Sequence, residues 1–213
     1  VDHLGATLVA DGSLGLAGKK SQIKLEARAD NLAALTQELG ISEVPGKLKL
    51  TANVTGALDK PAVDLTLDFK DGPRLAGAAS TLSVHAKLDA AQATAKVDAR
   101  ATAGKAVVRA ALNSRWRKGV PLAAAVDGQH ELELNLERVA LGELLRQSDT
   151  PVPLPIAGTI GANLKLSGNR ASIELKSEVD AQITVGQEPE LGVKLLTEYG
   201  GGGLAFNAEV DDV

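Results

Sequence analysis

The side chains able to do acid–base, nucleophilic or metal chemistry are few and scattered. The chain has three histidines, His3, His85 and His130, and no cysteine. Without thiols there can be no disulfide framework, thiolate metal site or cysteine nucleophile. His85 follows Val84 on the polar parity of an alternating segment, and His130 opens another, so both read as surface strand histidines. Acidic pairs such as Glu131 and Glu133 stand two apart, which on a strand is one solvated face. No HExxH, GxSxG or Walker loop occurs. Gly158-Thr159-Ile160-Gly161 lies inside an alternating segment and opens no helix, so it is not a dinucleotide turn. The run from Gly200 to Gly203 has no following helix or lysine to cradle a phosphate and reads as a hairpin tip. The expectation is no enzymatic activity: no catalytic residue, no metal and no cofactor.

One basic cluster, Arg115, Trp116, Arg117 and Lys118, contains the single tryptophan. It suits either an interfacial contact with anionic headgroups or a partner, or a charged hairpin turn whose aromatic ring lids the apolar residues. Lysine plus arginine is 23 against 27 for aspartate plus glutamate, a net charge of −4. That balance excludes an electrostatic nucleic-acid binder.

The elements that carry these residues are strands. Of 213 residues 44% are hydrophobic, which excludes a disordered chain, yet only Phe69, Trp116, Tyr199 and Phe206 are aromatic. Any apolar surface must be built from alanine, valine, leucine and isoleucine. Leu48, Leu50, Ala52 and Val54 alternate with Lys47, Lys49, Thr51 and Asn53. Val63, Leu65, Leu67 and Phe69 alternate with Asp64, Thr66 and Asp68. The same period-two pattern continues through Leu82, Val84, Ala86 and Leu88, then Ala93 to Ala101, Ala106 to Leu112, and Leu132 to Leu136. It runs on through Ile160 to Leu166, a long run from Ile173 to Val185 broken at Ser177, and Leu204 to Val210. About thirteen strands are expected, with one wet and one dry face, as in antiparallel sheets. Asp59-Lys60-Pro61, Asp71-Gly72-Pro73, Asp127-Gly128 and Gly168-Asn169 mark short connections.

Two segments break the alternation. Leu32, Leu35 and Leu39 stand at helical spacing behind Asp30 and Asn31, predicting a helix over Asn31–Leu39; Leu141, Leu144 and Leu145 predict a second over Val139–Gln147. Each is followed by a proline-bearing linker and a strand bounded by glycines, Gly46 to Gly56 and Gly158 to Gly168. The chain therefore reads as one elongated repeat-like β domain with approximate units 21–128 and 129–213. It starts in mid-strand, and is expected to be a piece of a longer protein whose membrane anchor lies elsewhere. No stretch reaches the roughly 20 apolar residues of a spanning helix.

The segment GKLKLTANVTGALDKPAVDLTLDF, Gly46 to Phe69, resembles the repeated element of the TamB and AsmA-like family of bacterial envelope proteins. There, a strand ending in glycine leads through a proline turn to a second alternating strand. The strand, short helix and glycine-bounded strand, found twice, is similar to the same family. The second copy departs from the pattern, lacking the turn proline at Gly168-Asn169-Arg170. The resemblance implies an inner-membrane-anchored protein that crosses the periplasm as a long curved sheet folded into an open, taco-like trough with a hydrophobic interior. It implies outer-membrane biogenesis, lipid transport and, for TamB-like members, an Omp85-type outer-membrane partner (TamA-like) in a translocation and assembly module.

The expected fold is therefore all-β: a long, curved, mostly antiparallel sheet forming an open trough, with two short helices. The alternative is a closed β-sandwich or barrel. In the trough, Leu48, Leu50, Val54, Leu65, Leu67, Leu82, Val84, Val97, Val108, Leu134, Leu164, Leu175 and Leu195 are expected to line a groove for phospholipid acyl chains. The rival functional expectation is a scaffold that binds strands of outer-membrane β-barrel proteins through an open sheet edge.

Overall fold

The computed structural model describes residues 2–3, 5–15, 19–38, 40, 42–57, 59–75, 78–120, 125, 127–142, 156–169, 171–186, 188 and 190–212. In chain order the elements are β1 (Asp2–His3), β2 (Ala6–Ser13), β3 (Ser21–Ala29), α1 (Leu32–Glu38), β4 (Lys47–Ala57), β5 (Lys60–Lys70) and β6 (Arg74–Leu75). Then follow β7 (Ala78–Asp89), β8 (Thr94–Ala103), β9 (Ala106–Arg115), β10 (Gln129–Ala140), β11 (Ile156–Asn169), β12 (Ser172–Val185), β13 (Leu191–Gly200) and β14 (Gly203–Asp212).

The strands form one antiparallel meander in sequence order, with only β6 off the path as a short partner of β7. The path carries thirteen strands, β1 at one end and β14 at the other, and those ends do not pair. The sheet is open, so the closed sandwich or barrel is not formed. At about 4.8 Å per strand the sheet extends roughly 60 Å across its strands. A compact chain of 21.9 kDa exposes roughly 9,300 Å²; this one exposes 14158 Å². The excess is the surface that a second layer would cover. Among the described residues the only buried apolar side chains are three alanines, Ala29, Ala52 and Ala93.

Of the two helices expected from leucine spacing, one stands as α1. Asn31 caps it, its Oδ1 accepting from the Ala34 N–H at 3.3 Å. Thr36 Oγ1 accepts from the Val44 N–H at 3.1 Å and so ties the helix to its own linker. At the second position Val139 and Ala140 still belong to β10, and only Leu141 and Gly142 turn helical. The remainder, 143–147, lies outside the described residues, as does the linker to 155. Val139 stays in the sheet because β10 carries a bulge. Leu136 pairs with Ala162 and Val139 with Ile160, so Glu137 and Arg138 together oppose Gly161. The extra residue returns Val139 to the apolar parity and bends the strand.

Three smaller expectations shift by a residue or two. Pro61 lies within β5, opposite Gly56, rather than in the turn. Gly168 and Asn169 complete β11, opposite Ile173 and Ser172. Ala93 is not a strand residue: it takes a left-handed φ of 57° in the turn before β8, and its carbonyl accepts the Trp116 N–H at 3.1 Å.

Candidate functional surface: the uncovered aliphatic face

Residues directly opposite in an antiparallel ladder point to the same side, so the register decides which side chains share a face. Ala27, Leu50, Leu67, Val84, Ala99, Ala110, Leu134 and Leu164 pair in succession from β3 to β11. A parallel row runs Ala52, Leu65, Ala86, Val97, Leu112, Leu132, Leu166 and Leu175. A third runs Leu48, Phe69, Leu82, Ala101, Val108, Leu136, Ala162, Val179 and Leu195. Val54 begins a fourth, through Val63, Leu88 and Ala95. All thirteen residues expected to line the groove therefore lie on one face, although no sequence pattern could state their partners.

Most of them are half-buried, packed against row neighbours but under no second layer. Val108 and Leu134 are exposed, at 40% and 37%. Exposure climbs toward the ends of the sheet: Leu8 is 55% exposed on β2, and Leu204 and Phe206 are 71% and 67% on β14. The apolar face is interrupted where Ser177 of β12 meets Thr197 of β13, so the break in the long alternating run coincides with a polar cross-strand pair.

The other face is a lattice of exposed cross-strand ion pairs. Asp64 receives His85 Nε2 at 2.9 Å and Lys87 Nζ at 3.5 Å. Lys165 meets Glu131 at 2.7 Å, Lys176 meets Glu198 at 3.1 Å, and Arg109–Glu137 and Lys194–Glu178 pair likewise. The His85 hydrogen bond, with Lys87 beside it, holds the Asp64 carboxyl below its ordinary value, and Lys165 does the same for Glu131. Conversely Glu131 raises Lys165, and Glu178 raises Lys194. These pairs set the polar face and its solubility more than its stability.

One consequence is testable. Asp64 titrates lower when folded than the usual 3.8, so the unfolded chain binds the proton more readily. Its contribution is therefore present above the unfolded value and is lost as pH falls through the folded one. Asp64→Asn is expected to lower the melting temperature slightly near neutral pH, with the gap to wild type closing in acid below 3.8. A gap that widens on acidification would contradict the assignment.

Shallow depressions on the polar face occur where small residues leave gaps between long charged side chains. One lies over Ala111 between His85, Arg100, Arg109 and Glu133. Another lies over Gly161 and Gly192 beside Asp180 and Lys194. They are spaces between side chains on the polar face. No group of three or more metal-ligating side chains occurs among the described residues.

The two histidines with described side chains part company. His85 is on the polar face with Asp64. His130 pairs with Ser114 and Gly168, in the row begun by Val54, and therefore belongs to the apolar side. Its Nδ1 is hydrogen-bonded to Ser114 Oγ at 2.9 Å. The parity of His130 within its own segment was readable, but its place at the border of the aliphatic surface required the register. The basic cluster sits beside it: Arg115 ends β9, exposed on the polar parity, while Trp116 is half-buried and Arg117 and Lys118 are exposed.

No helix among the described residues is long and apolar enough to cross a membrane. No family model, curated protein or solved structure matches this chain.

Proposed function

We propose that this chain is a section of a periplasm-spanning bridge between inner and outer membrane that carries phospholipid acyl chains along its apolar face and so supports outer-membrane biogenesis. The observation that carries the reading is the uncovered, cross-strand-continuous aliphatic face, bordered by water on the opposite side. Small and branched aliphatics leave room along it that aromatic rings would fill. Each acyl CH₂ taken out of water gains about 0.8 kcal/mol, so a chain along several rows is held without any specific polar contact. The twist inherent to strands and the bulge in β10 curve such a sheet into a trough. The resemblance in Gly46 to Phe69 adds the inner-membrane anchor outside this segment, the periplasmic setting and the Omp85-type partner. The reading includes no catalytic step and no cofactor.

A second reading, a scaffold for strands of outer-membrane β-barrel proteins, draws on one specific feature. The two-residue turn Gly201–Gly202 makes Gly200 and Gly203 the closing pair. Alternate residues Gly203, Ala205, Asn207 and Glu209 then bond to β13, and the N–H groups of Leu204, Phe206, Ala208 and Val210 point outward. That is an edge able to accept another strand.

Photo-crosslinking in cells tests both. Probes at Leu50, Leu134 and Leu164 are expected to capture phospholipid, whereas probes at Lys49, Asp64 and Glu133 on the opposite face are not. Equal lipid capture from both faces would overturn the groove. Ala208→Pro keeps the bonds to β13 but blocks the edge. If it abolishes outer-membrane protein assembly while lipid capture persists, the scaffold reading replaces the lipid one.

A further inference from the structure

We propose that the border of the apolar face at the ends of β9 and β10 is the headgroup site for an anionic phospholipid. The inference rests on the lipid reading above and specifies its ligand. Along this border the row is aliphatic at Val54, Val63, Leu88 and Ala95, and then turns polar at Ser114 and His130. Ser114 is 8% exposed and held by His130, so the polarity is built into the sheet rather than left on a mobile chain.

Trp116 follows two residues after Ser114. Its N–H bonds the Ala93 carbonyl, which carries the β8–β9 pairing one step beyond the strands. A Cβ at Gly128 would lie 3.0 Å from the Trp116 Cβ, so the base of the Trp116 side chain lies against a glycine two residues before His130. An aromatic ring between an aliphatic surface and water is the placement seen at membrane interfaces, where its body is dry and its N–H wet.

Two cations lie beyond it. Arg117 is exposed and has no ion pair among the described residues. Lys118 gives its ammonium to the neutral Gln92 Oε1 at 2.9 Å and not to a carboxylate. Arg115, by contrast, faces the polar side, where it helps lower Glu131. Within this connection, among the described residues, Asp127 is the one acidic side chain beside Arg117 and Lys118; Asp89, which accepts the Gln92 N–H at 2.9 Å, stands in the facing turn.

An amphiphile fits this order. From Ser114 and His130 the rows of Leu112 with Leu132, Ala110 with Leu134 and Val108 with Leu136 run inward along the strands. Rows two residues apart are about 7 Å from one another, so about 20 Å of aliphatic surface leads away from the border. An acyl chain laid along β9 and β10 leaves its phosphate beside Arg117 and Lys118.

Trp116 is the only tryptophan and reports the site directly. Its fluorescence is followed while the protein is titrated with dioctanoyl phosphatidylglycerol or dioctanoyl phosphatidylcholine. Two surface cations are expected to favour the anionic lipid about tenfold. The double variant Arg117→Gln, Lys118→Gln is expected to erase the preference, bringing the affinities for the two lipids together. Inorganic phosphate at equal concentration should produce no change, since it lacks the acyl chain. Equal affinities in wild type, or a preference that survives the double variant, would overturn the headgroup site and leave the groove standing. Binding of neither lipid would remove the groove reading and this site with it.

Discussion

Gly158→Ala is expected to destabilise the sheet by roughly 3 kcal/mol or more, because it combines backbone strain with a main-chain collision. Gly158 holds φ at 134°, and a Cβ there would lie 1.9 Å from the carbonyl oxygen of Gln182 on the neighbouring strand. No side-chain rotation relieves a contact with backbone. Gly168 repeats the arrangement at φ 135°, with the Ser172 oxygen 2.0 Å away, so Gly168→Ala should behave alike. Gly161 is the control: it lies in the same strand, has no such φ, and its added Cβ would meet Leu136 oxygen at an ordinary 3.4 Å. Urea unfolding of the three variants checks the expectation. Similar losses for all three would show that strand glycines matter here only through general flexibility.

Val97→Arg is expected to leave the fold intact and to stop lipid from passing. Val97 is half-buried, between Ala86 of β7 and Leu112 of β9 in the same row. With no second layer above, a long side chain can lean along the sheet and hold its guanidinium in water, so a loss of about 1 kcal/mol is expected. In a closed core the same change would bury an unpaired charge at a cost of several kcal/mol. On the proposed lipid reading, the hydrocarbon path then carries a cation. Lipid crosslinking from the adjacent Leu112 and Leu132 should fall about tenfold, equivalent to about 1.4 kcal/mol of binding. Thermal melts read with crosslinking separate the outcomes. Outright unfolding would mean the face is a core, and unchanged crosslinking would mean lipid does not use it.

Much of this architecture could be read from single residues. The alternation in Leu48 to Val54 and Val63 to Phe69 placed each side chain on its face, because a strand has only two. The four glycines that bound the repeated strands, Gly46, Gly56, Gly158 and Gly168, were visible as a spacing, and all four hold a positive φ. What alternation could not supply was partnership. It gave no means to see that Ser177 would face Thr197, or that Ser114 and His130 would share a border with Trp116. Leucine spacing at Val139 to Gln147 suggested a helix from its first residue. A bulge at Glu137 and Arg138, which leaves no local signature, instead kept Val139 and Ala140 in the ladder.

Each strand touches its two ladder neighbours and little else. Free energy in such a molecule is organised like that of a zipper: every strand between two neighbours is held by two seams. Local opening should start at the ends and travel inward, one strand at a time, ahead of the cooperative melt of the interior. Amide protons of β14, with its apolar residues two-thirds exposed, should exchange first, and those of β7 to β9 last. A lesion would then be felt a strand or two away and no farther, so damage in one stretch of a long sheet need not disable the rest.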